Sequence, residues 1–255
     1  MTSGDSKMTQ TNVDSRVASF WDSESGDWGQ KYGKPTSYFY RRQTFYKFFE
    51  STGLKNASIL DYGCGSGDIT FPMLQDGHVI TGVDIAEKMV ERASERAKHF
   101  GLEKNASYHH ISESVMSKIA AQKFDVVVCS SVLEYVDDDA VLLRMFHSCL
   151  NEGGYLLVSV PDSRSIFCKM DRWMYANKKI LPGFVPSEKL GYLDIQKRQY
   201  KISEFVRDLK AIGFDFLKKK HNSITLQRGA LMEMASNVPG IGMLALMMFR
   251  KSVKS

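Results

Sequence analysis

The sequence predicts a doubly wound α/β sheet, and three observations carry the prediction. Between residues 59 and 160, apolar strand-like runs alternate with helical patterns five times, the order that builds a parallel sheet covered on both faces. Residues 124–129 and 155–160 are almost continuously apolar, as strands buried on both faces must be. Directly after the first strand, Ile59-Leu60-Asp61-Tyr62, three glycines alternate at Gly63, Gly65 and Gly67 before a helical pattern opens. Glycine permits the backbone angles of a tight turn and lets a ligand approach the main chain, so such a turn marks a nucleotide-cofactor site.

Taken in order, residues 1–19 are polar, lack an apolar core and are expected to form a disordered tail with no signal peptide. Residues 20–58 form an aromatic lead-in with Phe20, Trp21, Trp28, Tyr32, Tyr38, Phe39 and Tyr40, then a helix over 41–49 burying Phe45, Phe48 and Phe49. Two readings of this lead-in stand: a lid over the cofactor, or a segment packed outside the sheet. The main domain runs over 59–255. After the glycine turn come a short helix at 69–74, a strand at 78–84 ending on Asp84, and a helix at 86–100. In that helix Met89, Ala93, Ala97 and Phe100 recur at the helical period and Gly101 stops it. A third strand at 106–110, a helix or turn at 114–121, the buried strand at 124–129, a helix at 137–150 and the strand at 155–160 complete the alternation.

Residues 162–200 break the pattern. They mix Phe167, Met170, Trp173, Met174, Tyr175 and Phe184 with nine Lys or Arg between 164 and 201, against three acids. This insertion is read as a cap on the acceptor side. Its apolar residues suit an apolar pocket, and its positive excess suits an anionic group, an acidic carrier protein or a membrane surface. The plainer alternative is that these residues pack on the sheet and the lysines are a solvated face. An amphipathic helix at 203–212, stopped by Gly213, and strands at 214–221 and 244–250 end the chain.

Composition excludes several classes. With 255 residues, 43% hydrophobic and 25% charged, the chain suits one globular domain with extensions. A net charge of +5 without a basic arm gives no reason to expect a nucleic-acid partner. Cys64, Cys129, Cys149 and Cys168 are widely spaced, so neither a metal site nor a disulfide framework is expected, and a cytoplasmic location fits. The longest apolar run, 238–249, is broken by Pro239 and glycines and is too short to span a bilayer.

A glycine turn serves dinucleotides, flavins or S-adenosylmethionine. Here Asp68 stands where a dinucleotide site wants a small residue, and Asp61 and Asp68 near a helix N-terminus would repel a pyrophosphate. An ammonium and a sulfonium have the opposite preference. Asp84, 17 residues after Gly67, can accept the ribose hydroxyls. The balance favours S-adenosylmethionine.

The same residues resemble a family. Leu60-Asp61-Tyr62-Gly63-Cys64-Gly65-Ser66-Gly67, Val83-Asp84-Ile85-Ala86, Phe124 to Cys129 with Val132-Leu133-Glu134-Tyr135-Val136, and Leu150-Asn151-Glu152-Gly153-Gly154 match successive motifs of class I S-adenosylmethionine-dependent methyltransferases, in order and spacing. Ile111-Ser112-Glu113-Ser114-Val115 looks similar to the ubiquinone-biosynthesis O-methyltransferase-like subgroup. The resemblance implies a Rossmann-like, seven-stranded, mostly parallel sheet whose last strand is antiparallel and inserted beside the fifth. It implies cofactor contacts at Asp61, Gly63, Gly65, Gly67, Asp84, Ile85 and Ser130, at Arg41 or Arg42, and at Tyr32 closing over the methionine end. Where relatives carry an acid, this chain has Ser112, or Glu113 reaches in; where they carry histidine, it has Tyr135.

Methyl transfer is an in-line displacement in which alignment in a dry site contributes most. The open end of the sheet is expected to display Ser130, Ser131, Glu134, Tyr135, Asp162, Ser163 and Arg164, with Tyr135 and Asp162 the first candidates for catalysis. The competing readings are that Glu134 braces a helix and Asp162 is a turn residue. His109 and His110 are expected away from the mouth, and His147 and His221 in structural or surface roles. The expected function is methyl transfer to a small-molecule acceptor at oxygen, an apolar, lipid-like or anionic biosynthetic intermediate. The alternatives are a non-catalytic S-adenosylmethionine-binding regulatory module and a dinucleotide-dependent oxidoreductase.

Overall fold

Helix α1 (Ser15–Glu24) precedes α2 (Ser37–Glu50), which starts on Thr36, whose hydroxyl accepts from the Phe39 N–H. The alternation then runs β1 (Ser58–Tyr62), α3 (Phe71–Gln75), β2 (Val79–Asp84), α4 (Glu87–His99), β3 (Ala106–His110), α5 (Glu113–Ala121), β4 (Phe124–Ser130), α6 (Asp139–Cys149) and β5 (Leu150–Pro161). The insertion holds α7 (Ile166–Ala176) and a 3-10 helix (Ser187–Asp194), before α8 (Ile202–Ile212), β6 (Phe214–Asn222) and β7 (Leu244–Lys251). This computed structural model describes residues 15–26, 31–32, 36–177, 187–222 and 240–253. Trp28 and Phe184 lie outside the described residues.

The seven strands form one sheet in the order β3-β2-β1-β4-β5-β7-β6. β1 to β5 pair in parallel, and β7 is antiparallel to both β5 and β6. Strand order reverses between β1 and β4, and the crevice beyond the carboxyl ends of such strands is where open α/β sheets bind ligands. Two hydrophobic layers sandwich the sheet. Phe146 of α6 and Phe205 and Leu209 of α8 pack on one face; Phe45 and Phe49 of α2 and Met73 of α3 pack on the other. The outer strand β6 exposes Lys218 and Lys219, charges that discourage edge pairing.

The insertion is closed at its base. Asp162 and Tyr200 form an isolated parallel bridge, with the Ser163 N–H donating to Tyr200 O and the Tyr200 N–H to Pro161 O, both at 2.9 Å. The Tyr200 hydroxyl donates to Leu133 O (2.9 Å) and bonds Asp139 (2.8 Å), tying this base to the loop after β4.

The expected disordered tail through residue 19 is corrected from residue 15 onward. α1 begins at Ser15, and Val17 is buried against Tyr135 and Ile195. The stretch holds order through these distant partners rather than through an apolar stripe of its own. Trp21 packs edge-on to Tyr135 at 5.8 Å, and Asp22 accepts the Lys88 N–H at 3.0 Å. That bond caps α4, whose own N-cap, Ala86, has no side chain for the task. α1 thereby lies against Ile85 after β2, Tyr135 after β4 and Ile195 of the insertion.

Candidate functional site

The glycine turn and Asp84 form one unit. Gly63, Gly65 and Gly67 all have positive φ (73°, 52° and 74°). The Gly63 and Cys64 N–H groups donate to Val83 O, and the Gly65 N–H donates to Asp84 Oδ2 at 2.7 Å. A Cβ on Gly63 would stand 2.1 Å from Val132 Cγ2, so the loop after β4 closes directly on the turn. The second oxygen of Asp84 accepts the Ala86 N–H at 2.9 Å. Burial raises the Asp84 carboxyl, and these backbone donors hold the rise in check.

Asp61 is 1% exposed, with Thr70 donating to Oδ2 at 2.7 Å. Burial pushes its carboxyl up to about 7, and Asp84 and Asp68 add to the rise. The structure corrects the electrostatic role expected of Asp68: its carboxylate is paired with Arg96 and accepts from Ser66, and Arg96 in turn stacks on Phe71. Asp68 is an ion-paired brace, and Asp61, with no such partner among the described residues, carries most of the argument against a pyrophosphate.

Beside the turn, α2 delivers Arg41. Its Nη1 donates to Ser131 Oγ (3.0 Å) and its Nη2 to the Tyr32 hydroxyl (2.9 Å). Ser131 adopts φ 56°, a strained left-handed angle for serine, and its N–H donates to Ser159 Oγ at 3.1 Å. Ser130 instead faces Ser159, 3.2 Å between hydroxyls. Arg42 points outward, its Nη2 donating to Tyr32 O at 3.2 Å, and lines an open groove between α2 and α3 with Phe39 and Arg96.

Glu134 is 2% exposed, and burial pushes it up to about 8 against the pull of its own N–H, Arg41 and Ser131. Tyr135 is buried, and its hydroxyl is held far above the usual phenol range by burial and by Glu134. Asp162, a candidate for catalysis weighed against a turn residue, has both oxygens engaged: Oδ2 lies 3.1 Å from His221 Nε2 and Oδ1 accepts the Arg164 N–H at 2.9 Å. Burial raises this carboxyl, but those bonds outweigh it and hold it below the usual range. With both oxygens engaged, Asp162 braces the foot of the insertion. His221 is a buried member of that brace rather than a surface group.

On the other flank Ser112 is the N-cap of α5, accepting from Val115 at 3.3 Å, and Glu113 is exposed in the first turn. His110 is corrected too. Because β3 runs parallel to β2 with His110 level with Asp84, it stands at the mouth, and its Nε2 donates to Ile85 O at 3.0 Å.

Four buried side-chain polar atoms among the described residues have no hydrogen-bond partner: Arg41 Nε, Glu134 Oε2, Asp171 Oδ1 and Asn222 Oδ1. Each such atom costs about 1–3 kcal/mol in the free protein. Asn222 sits at the mouth end of β6 and donates to Ser37 O at 2.7 Å. Sequence reasoning named Arg41 and weighed Glu134 as a brace, but it passed over Asn222 and Asp171. The signal available was position, since Asn222 closes a strand at the ligand-binding edge. No group of His, Cys, Asp and Glu able to hold a metal occurs among the described residues, and no described helix is long and apolar enough to cross a membrane.

Comparison with known proteins bears on the family and the fold. Residues 28–219 match a family described as a methyltransferase domain. A ubiquinone biosynthesis O-methyltransferase of Hydrogenovibrio crunogenus is 30% identical over 152 residues, 59% of this chain and 59% of that protein. Its namesake in Psychrobacter cryohalolentis is 33% identical over 107 residues, 42% of each chain. The chain thus spans under two thirds of the length of these relatives. Among solved structures, magnesium protoporphyrin IX methyltransferase of Synechocystis PCC 6803 with bound SAH superposes with a TM-score of 0.66 at 18% identity, covering 93% of this chain and 99% of that one. That likeness is one of fold.

Proposed function

Since the chain belongs to the methyltransferase-domain family, we propose that it transfers a methyl group from S-adenosylmethionine to an oxygen of a small biosynthetic intermediate in the cytosol. The observation that carries this reading is the set of unfulfilled groups around the glycine turn. Asp61 is a buried acid whose carboxyl, at about 7, has no cationic partner among the described residues, a countercharge that an ammonium would supply. Arg41 Nε is a buried donor lacking the acceptor that a carboxylate would supply. An amino-acid head group provides both. Asp84 keeps lone pairs for ribose hydroxyls, Ile85 offers an apolar edge to the adenine, and Ser112 and Glu113 stand at the rim.

When bound, S-adenosylmethionine supplies a methyl group activated on a sulfonium. The residues of this chain align, dry and deprotonate. The positive φ angles of Gly63, Gly65 and Gly67 shape the turn that holds the ligand, and Tyr32 and α1 exclude water. Glu134, whose buried Oε2 is unpartnered, takes the acceptor proton when ionised, rather than Asp162, whose two oxygens are both engaged. Tyr135, kept protonated by burial, donates a hydrogen bond beside it. Oxygen as the acceptor atom is supported by the names of the sequence relatives.

α7 supports a membrane-surface contact. Ile166, Met170 and Trp173 (60% exposed) line one face, with exposed Lys169 and Arg172 beside them, the composition of a helix that rests on an anionic interface. Incubation with tritiated S-adenosylmethionine and a bacterial small-molecule extract tests the reading. Transfer of label supports it. Binding without transfer points to a regulatory module instead.

A further inference from the structure

The inward face of α7 carries a group that the methyltransferase reading leaves unused. Ile166, Lys169, Met170, Arg172 and Trp173 are exposed, whereas Cys168 and Asp171, one turn apart, are buried. The Cys168 thiol bonds Met243 O at 3.5 Å, and that carbonyl also accepts the Asp162 N–H at 2.8 Å. This face of α7 is therefore pinned to the mouth end of the sheet. Asp171 is 3% exposed; the Tyr192 hydroxyl donates to Oδ2 at 3.0 Å, and Oδ1 has no partner. No basic side chain forms an ion pair with it among the described residues. Tyr192 lies within electrostatic reach of Tyr38 and Tyr135, and the Tyr38 ring stands 5.0 Å from the Arg41 guanidinium at the mouth.

Resting on the methyltransferase reading, we infer that Asp171, positioned by Tyr192, is a specificity-determining residue that accepts a hydrogen bond from an O–H or N–H group of the methyl acceptor, distinct from the atom methylated. A buried carboxylate oxygen with no donor is stabilised only when a ligand brings one. A purely hydrocarbon head would leave it unsatisfied, and an anionic head would be repelled. Burial raises the Asp171 carboxyl, and the Tyr192 bond, made to the accepting form, holds that rise in check. This narrows the acceptor from apolar or anionic to one with a donor-bearing head. An apolar tail remains compatible, since the exposed stripe of α7 lies on the other side of the same helix.

Three probes test this with tritiated S-adenosylmethionine: catechol, 2-aminophenol and 2-methoxyphenol, which lacks the second donor. The wild-type protein is expected to favour a donor-bearing probe over 2-methoxyphenol by about tenfold or more in kcat/KM. Asp171→Ala is expected to erase that preference through KM, leaving S-adenosylhomocysteine affinity within about twofold and the unfolding midpoint unchanged or raised. Asp171→Asn, which keeps a carbonyl oxygen as acceptor, is expected to retain part of the preference for both donor-bearing probes over 2-methoxyphenol. An unchanged preference in Asp171→Ala, a lowered midpoint with preference intact, or no label in any probe while S-adenosylhomocysteine still binds overturns the inference and leaves the cofactor site standing. Failure of S-adenosylhomocysteine to bind would instead remove the methyltransferase reading itself.

Discussion

Arg41 on α2 donates to Ser131 Oγ at 3.0 Å, joining the N-terminal segment to the loop after β4 across 90 residues of sequence. The bond fixes a guanidinium at the mouth with Nε still unpartnered. Arg41→Ala is expected to weaken S-adenosylhomocysteine binding by about tenfold, the worth of a charge-assisted hydrogen bond. Arg42→Ala, changed in the outer groove, should alter it little. Titration calorimetry on both variants separates them.

Gly63 allows no side chain. Its φ of 73° and the 2.1 Å approach of Val132 Cγ2 predict that Gly63→Ala destabilises the fold by about 1–3 kcal/mol. A Val132→Ala change in the same chain should recover part of the loss, because it removes the clash but not the backbone strain. Denaturant unfolding of the single and double variants measures both.

Asp61 gives the site a pH dependence with a definite sign. Its carboxyl rises from 3.8 to about 7 on folding, so between those values the folded chain holds a proton that the unfolded chain has lost. That contribution to stability is full at low pH and is lost as pH rises through about 7. A cofactor ammonium prefers the ionised form, so S-adenosylhomocysteine affinity should increase severalfold from about pH 6 to about pH 8. Asp61→Asn should flatten that profile and raise the unfolding midpoint of the free protein at the alkaline end.

Much of this was legible in the chain, and the rest failed for one physical reason. Strands at 106–110 and 124–129, the helix stop at Gly213 and the cofactor turn are written in short-range patterns of apolar spacing and glycine. α1 was not, because Val17 and Trp21 gain their burial from Tyr135 and Ile195, more than a hundred residues away. The partners of Asp68 and Asp162 were not legible for the same cause. Their partners Arg96 and His221 stand 28 and 59 residues on, and no local signal announces an ion pair at such a distance.

The N-terminal helix carries its own test. Asp22 caps α4 through the Lys88 N–H, so Asp22→Ala should cost about 0.5–2 kcal/mol of stability, in the range of an ordinary N-cap. Hydrogen exchange should show the loss concentrated in the first turn of α4 and in α1.

The surface reading of α7 is checked by sedimentation with anionic vesicles. Replacing Met170 and Trp173 by Ser should lower the bound fraction severalfold, since each apolar side chain contributes about 1.5–3 kcal/mol on burial. Binding to S-adenosylhomocysteine should be unchanged, because both residues face away from the mouth.

The central claim is that the turn at Gly63 to Gly67, with Asp61 and Asp84, holds S-adenosylmethionine. Calorimetric titration of the protein with S-adenosylhomocysteine and, separately, with NAD tests it most directly. The account predicts one saturable site for S-adenosylhomocysteine, weakened by Asp61→Ala, and no heat with NAD. Binding of NAD alone would contradict it.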